Sequence, residues 1–379
     1  MIKKERKHQP LKHQNILRVR IEALLLAAAL SGTLAACGGA GAGTSDTETA
    51  TSAETTTASA STDPVTKQSY YFDTICQITI YDMKDMSEEN AADAIQAAFD
   101  KCAYYEKLLS KTKEGSDIWN INHAQGKPVT CDPETISIIE KGISYGDLTD
   151  GKFDITIGAC EDLWDFHSDN PKVPDADELA EAVSHVNYKN IQVDGDTVTM
   201  LDPDCEIDLG GIAKGYIADR TAEVLRDQGV TSAIISLGGN IECVGGKPTD
   251  AGSQKPFTIG IETPYSDMSR IVGTVQLTDG TAVTSGVYER YFTYEGKEYH
   301  HILDVKTGYP VDTDTLGVTI IGADGTSADC DALSTTCLIL GSEAGAKLIE
   351  SLDGYEAAFI LRDNSIVKTS GMELTETNS

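Results

Sequence analysis

Apolar and polar positions along residues 70–373 switch between a two-residue and a three-to-four-residue period, and the switches predict the elements. Residues 69–81 are rich in aromatic and β-branched side chains and read as a strand. Residues 87–110 read as a long amphipathic helix, opened by Ser87 with acids in its first turn. Asp132-Pro133 predicts another helix start, a capping residue followed by proline at the first helical position. Residues 191–208 read as a hairpin turned at Asp194-Gly195-Asp196 and followed by a second strand. A helix over about 212–226, a buried strand Ala233–Leu237, several strands within 257–321 and a helix Ser327–Leu340 complete the series. There is no internal repeat and no simple βαβ rhythm. The predicted class is α+β, a single large domain of mixed sheets and helices built as one unit or as two interleaved lobes.

The first 69 residues break this pattern. Residues 1–36 carry seven basic side chains and two acids, and an apolar run of only eight residues follows at 23–30. That is too short for a bilayer of roughly 30 Å, which needs ~20 helical residues. A basic stretch, a short apolar core and the small residues Leu34-Ala35-Ala36 before Cys37 predict a secretory signal over 1–36. From 38 to 69, 24 of 32 residues are Gly, Ala, Ser or Thr, too few apolar groups to offset ordering entropy. Residues 37–69 are therefore expected to be a flexible tether with a reach of about 30 Å, leaving 70–373 as the working domain.

The chain of 379 residues holds 30 Lys+Arg against 60 Asp+Glu, a formal net charge of −30. Because the leader contributes +5, the remainder carries −35. No basic patch offsets this, so nucleic-acid binding is excluded. Eight cysteines remain beyond Cys37, and no two form a C-x-x-C pair. Scattered inside apolar segments, they read as buried free thiols rather than as a metal knuckle.

Candidate chemistry concentrates in a few stretches. In Asp208-Leu209-Gly210-Gly211-Ile212-Ala213-Lys214-Gly215 a strand delivers Asp208, two glycines turn the chain, and a helix starts with Lys214 in its first turn. A helix N-terminus with a nearby ammonium is an anion site, although the glycine spacing is not that of a P-loop. Read alone, the stretch is equally a plain glycine turn with a solvated lysine. On the helix at 327–340, Asp331 and Thr335 share a face with Ser334 beside them, an oxygen set suited to Mg²⁺ or to ordinary capping. His300 and His301 on an extended segment point to opposite faces, so one of them at most faces a given site. Asp324-Gly325-Thr326-Ser327-Ala328 reads as a surface turn entering the Asp331 helix.

Five stretches occur in order: the Asp208–Lys214 turn, Ser236-Leu237-Gly238-Gly239-Asn240, the run from Thr284 to Tyr291, His301-Ile302-Leu303-Asp304 ahead of Thr307-Gly308, and Asp329 to Thr335. This series resembles the ApbE family of FAD:protein FMN transferases, and Leu34-Ala35-Ala36-Cys37 resembles the lipobox of bacterial lipoproteins. The resemblance implies FAD as substrate, bound by Phe72, Phe153, Asp154, Asp208, Lys214 and Ile302. It implies a divalent metal, Mg²⁺, held by the Gly211 carbonyl, Asp331 and Thr335 with Ser334 close by, and His301 as a base. Phe72-Asp73-Thr74 departs from the family's usual Met-Gly-Thr, and Val305 stands where proline is frequent. The resemblance further implies lipidation of Cys37, a lipid anchor on the extracytoplasmic face of the cell membrane, and an exported or membrane-anchored flavin-binding acceptor such as a redox-pump or electron-transfer subunit. A Mg²⁺-dependent FAD pyrophosphatase and a non-catalytic FAD-binding lipoprotein remain alternative readings of the same residues.

Overall fold

Two consecutive residues at positive φ, Phe72 (55°) and Asp73 (56°), fold the first predicted strand back on itself. The result is a hairpin of β1 (Val65–Tyr71) and β2 (Thr74–Ile80), not one strand over 69–81. β1 begins at Val65, so residues 65–69, expected in the tether, belong to the sheet instead. The computed structural model describes residues 63–377 apart from 85, 167, 169 and 267–269. The predicted signal segment, Cys37 and the tether up to residue 62 lie outside the described residues.

The hairpin starts an eight-stranded sheet that continues with β3 (Ala233–Leu237), β4 (Asn240–Val244), β5 (Gly280–Gly286), β6 (Thr315–Ala323), β7 (Glu356–Leu361) and β8 (Ile366–Lys368). Every neighbouring pair is antiparallel and the strands lie in chain order. Helices enter as excursions. Between β2 and β3 come α1 (Glu88–Leu109), α2 (Asp117–Asn122), α3 (Pro133–Leu148), α4 (Gly158–Trp164), α5 (Ala176–Ser184) and α6 (Ala213–Asp227). Between β6 and β7 come α7 (Ser327–Leu340) and α8 (Ser342–Glu350). The predicted starts hold: Ser87 Oγ accepts the Asn90 N–H and Asp132 Oδ1 accepts the Glu134 N–H. Among the described residues no helix is long and apolar enough to cross a membrane.

Strand alternation gives the sheet two buried faces. On β7, Ala357 and Phe359 join the large core beneath the helices, while Ala358 and Ile360 join a second core. The second core is closed by the hairpin Phe257–Glu262 with Ile271–Leu277. The described residues thus belong to one compact unit, a mixed α+β arrangement of helices, large sheet and small sheet. All eight of their cysteines are buried and unpaired. The surface turn at Asp324-Gly325 leads into α7 as expected, with Ser327 fully buried at its start.

The contact that sets the site is between α6 and α7. A side chain at Gly215 would bring its Cβ to 2.1 Å from the Ser327 carbonyl oxygen, so only glycine lets the two backbones meet. Asp219, one turn further along α6, accepts the Ser327 and Ala328 N–H groups at 2.9 and 3.0 Å and caps α7 from outside. Beneath them, on β4, lies Glu242, fully buried, with neither carboxylate oxygen hydrogen-bonded.

Burial, reinforced by the charge of Asp219, pushes the Glu242 carboxyl up to about 9. Between its ordinary value and that one, the unfolded chain releases a proton that the folded chain keeps. Stability from this group is therefore present at low pH and lost as pH rises through the window. Glu242→Gln removes the titration, so its melting temperature relative to the parent chain should climb steadily from pH 5 to pH 9. A pH-independent difference would contradict the buried neutral acid.

Candidate active site

Asp208 builds the glycine turn. Its Oδ1 accepts the Gly210 N–H at 2.6 Å and its Oδ2 lies 3.1 Å from Lys111 Nζ, a residue from just beyond α1. Lys111 also reaches Asp162 Oδ1 at 2.7 Å and the Gly158 carbonyl at 3.2 Å. Burial opposes both charges, yet Lys111 holds the Asp208 carboxyl below its usual range, and Asp208, Glu161 and Asp162 raise the lysine. Glu161 takes the opposite course: burial and the adjacent Asp208 keep its carboxyl protonated well above the ordinary range. The sequence singled out Asp208 but carried no sign of Lys111, which stands in an ordinary polar loop.

The turn then feeds α6, whose first-turn N–H groups have no partner within the helix. One of them, on Gly215, donates to Asp331 Oδ2 at 2.9 Å, across to α7. The Gly211 backbone, Asp331 and the Thr335 hydroxyl are thereby brought to one neighbourhood. The Thr335 Oγ1 lies 3.6 Å from where a Cβ on Gly211 would stand, and it bonds no described residue. Its neighbours differ. Ser334 Oγ is engaged by Ser285 Oγ at 2.7 Å and by the Asp331 carbonyl at 2.9 Å, and Thr336 Oγ1 by the Ala332 carbonyl. Of the oxygens expected around a metal, Ser334 is therefore occupied, whereas Gly211, Asp331 and Thr335 fit a hard cation by donor type and by unused lone pairs.

Phe153 packs its ring edge 3.1 Å from the same Cβ position on Gly211 and so walls the turn. Asp154 is less available than expected. Its carboxylate accepts the Thr156 N–H and hydroxyl at 2.8 and 2.6 Å and the Tyr188 N–H at 2.9 Å, which makes it a fastener of the 154–188 loop. Lys214 is half-buried, and its ammonium makes one long contact to the Gly210 carbonyl, 3.4 Å.

The far wall is the hairpin Tyr291–Tyr294 with Lys297–His300. It is seated by Phe292 and Tyr299, which pack with Trp164 in a third core, and by the Trp164 indole N–H bonded to the Gly308 carbonyl at 2.8 Å. His300 is buried away from the turn with Nδ1 unpartnered, and burial lowers it to about 4. His301 is held by one carbonyl: Arg290 O accepts its N–H at 3.1 Å and faces its Nδ1 at 3.2 Å. A carbonyl accepts only, so Nδ1 carries the proton and Nε2 presents a lone pair. Burial, with the charges of Arg290 and Lys214, lowers His301 to about 3 and keeps it neutral. Ile302 follows, buried, its carbonyl accepting the Val311 N–H at 3.0 Å.

At the opposite rim, the side chain of Thr74 lies 2.4 Å from any Cβ that Gly238 would carry, joining the Phe72–Thr74 strand end to the glycine turn before Asn240. Gly239 O accepts the Thr284 N–H, so two of the five sequence stretches meet the Phe72–Thr74 strand end at one end of the sheet.

Comparison with known proteins identifies the family. Residues 72–359 match the ApbE family. The chain is 31% identical over 311 residues to the FAD:protein FMN transferase of Treponema pallidum (strain Nichols), covering 79% of this chain and 85% of that one. It is 35% identical over 273 residues to the FAD:protein FMN transferase of Klebsiella pneumoniae (strain 342), covering 71% and 83%. Among solved structures, the ApbE protein of Thermotoga maritima superposes with a TM-score of 0.73 at 31% identity, over 81% of this chain and 97% of that one.

Lys111 and Asp208 have side chains only 16% and 14% exposed, so removing one leaves the other uncompensated. Lys111→Met should cost about 3–5 kcal/mol of stability in denaturant titrations. Adding Asp208→Asn to it should recover part of that loss, and strictly additive effects would show the pair to be uncoupled.

Proposed function

Because the chain belongs to the ApbE family, we propose that it transfers FMN from FAD to a serine or threonine hydroxyl of an acceptor protein and releases AMP. The acceptor oxygen forms a bond to the FMN-side phosphorus as the bond from that phosphorus to the bridging oxygen breaks, and AMP departs with the electron pair. His301 suits the proton transfer by placement, since it is neutral and its Nε2 is the free acceptor. The glycine turn and Lys214 orient the phosphates in line.

The observation that supports this reading is the crossing of the Gly215 N–H to Asp331, which brings Asp331 to the start of α6, where Thr335 lies beside Gly211. These three residues would hold Mg²⁺, which when bound supplies positive charge against the phosphates. Asp154 and Ser334 support the site from behind, since their oxygens are already engaged.

We place the enzyme outside the cytoplasm, anchored through lipid on Cys37, with a flavin-binding acceptor that is itself exported or membrane-anchored. The basic, apolar and small-residue order before Cys37 supports this placement. Loss of the protein from the membrane fraction on Cys37→Ser reads it out; retention would count against the anchor.

Incubated with FAD, MgCl₂ and an exported flavin-binding domain, the protein should yield an acceptor heavier by one FMN in mass spectrometry. Asp331→Ala should abolish that product. Free FMN and AMP with an unmodified acceptor would replace transfer by hydrolysis, and tight FAD binding without turnover would leave a carrier.

A further inference from the structure

In a chain with twice as many acids as bases, cations are expected to be paired, and two of the five arginines of the folded body, Arg220 and Arg226, are ion-paired with acids. Arg220 lies 2.5 Å from Glu223 and 3.5 Å from Glu134. Arg226 reaches Asp324 at 2.7 Å and Asp279 at 3.4 Å. Arg362 donates through Nε to the Thr313 carbonyl at 2.7 Å. Arg290 differs. Its guanidinium makes no ion pair or hydrogen bond with any described residue, although Glu289 is its neighbour in sequence and the side chain is half-buried.

Its position is fixed through its backbone. The Arg290 carbonyl takes both the N–H and the Nδ1 of His301, so the residue cannot leave the site without releasing the histidine. Directly after it, Tyr291 pairs with His300 in the hairpin that Trp164 and Phe292 seat. The guanidinium charge acts on Tyr70 from the β1 side, on Glu161 beside Asp208, on Glu289 and on His301. Lys214 acts on two of the same groups, Glu289 and His301, from the opposite wall. Two cations therefore converge on one imidazole, and neither has an acid bonded to it.

Glu289 is the acid that both cations act on, and burial raises its carboxyl to about 7, so it offsets their charge only in part; two like charges partly out of water gain from an anion that joins them. A guanidinium adds what Lys214 lacks, a planar fork that bonds two oxygens of one phosphate. We propose that Arg290 is a second substrate-binding cation of this site, its side chain bonding the non-bridging oxygens of the FAD diphosphate while its carbonyl orients His301. The assignment rests on FAD being the substrate, as argued above. It gives one residue two separable tasks, one carried by the side chain and one by the main chain.

The separation makes it testable by binding, independently of transfer. FAD is titrated into the parent protein, Arg290→Met and Arg290→Lys in the presence of MgCl₂, following flavin fluorescence at 50 and 300 mM NaCl. Arg290→Met keeps the carbonyl and should still melt cooperatively, yet bind FAD roughly 10–100-fold more weakly, the effect of losing a hydrogen bond to a charged group. Arg290→Lys should recover part of the affinity. The salt dependence of FAD affinity should be shallower in Arg290→Met than in the parent, because one phosphate contact is gone. ADP should lose affinity with FAD, whereas riboflavin, which has no phosphate, should bind all forms alike. Unchanged FAD affinity in Arg290→Met overturns the proposal, and so does an equal loss for riboflavin. FAD binding by the parent without FMN transfer would sink the transfer reading and leave this one standing.

Discussion

The closest backbone approach near the site, Gly215 against the Ser327 carbonyl, decides what the rest of the molecule can do. It brings α6 and α7 within reach of a hydrogen bond that neither helix would form alone. Asp331 places a carboxylate at the positive end of α6, where the helix dipole favours it, and satisfies a first-turn N–H that has no partner within the helix. Asp219 returns the arrangement in the other direction by capping α7. Two helices from distant parts of the chain thus start on each other's acids.

The charge pattern follows a similar logic. An acidic protein has few cations to place, and Lys111 is committed to a structural task, neutralising Asp208 so that the glycine turn holds its shape. Because that pair is mostly shielded from water, it keeps its geometry over a wide pH range. Lys214 and Arg290 form no ion pair with a described residue, and both act on the His301 imidazole, whose tautomer a carbonyl fixes. Two positive charges are thereby brought to one site of a strongly negative molecule.

Much of this was legible in the chain, and the exceptions have physical causes. The helix starts at Ser87 and Asp132 and the strand Ala233–Leu237 follow local rules, capping chemistry and side-chain branching, and they were read correctly. The β1–β2 hairpin was not, because its turn places Phe72 and Asp73 at positive φ where no glycine announces it. Helices α2 and α4 have only six and seven residues, which leaves little periodicity to detect. In the site, spacing on α7 put Asp331, Ser334 and Thr335 together, but only the structure distinguishes the occupied Ser334 from the unbonded Thr335. Asp154 likewise resembled a ligand-binding acid until its oxygens were seen to be filled by Thr156 and Tyr188. Lys111 could not be inferred, since its partner lies almost a hundred positions away along the same long excursion from the sheet.

The aromatic seat under the His301 hairpin has an optical consequence. The protein contains two tryptophans. Trp119 stacks on His123 with ring centroids 4.0 Å apart, whereas Trp164 is fully buried among Phe166, Phe292, Tyr299 and Tyr309. Indole emission from Trp164 therefore originates from the residue on which the hairpin before His301 rests. Its wavelength senses whether that wall is dry, and a flavin arriving nearby would quench it by energy transfer. The packing that holds the histidine in place also equips the molecule with a built-in fluorophore for watching the site fill.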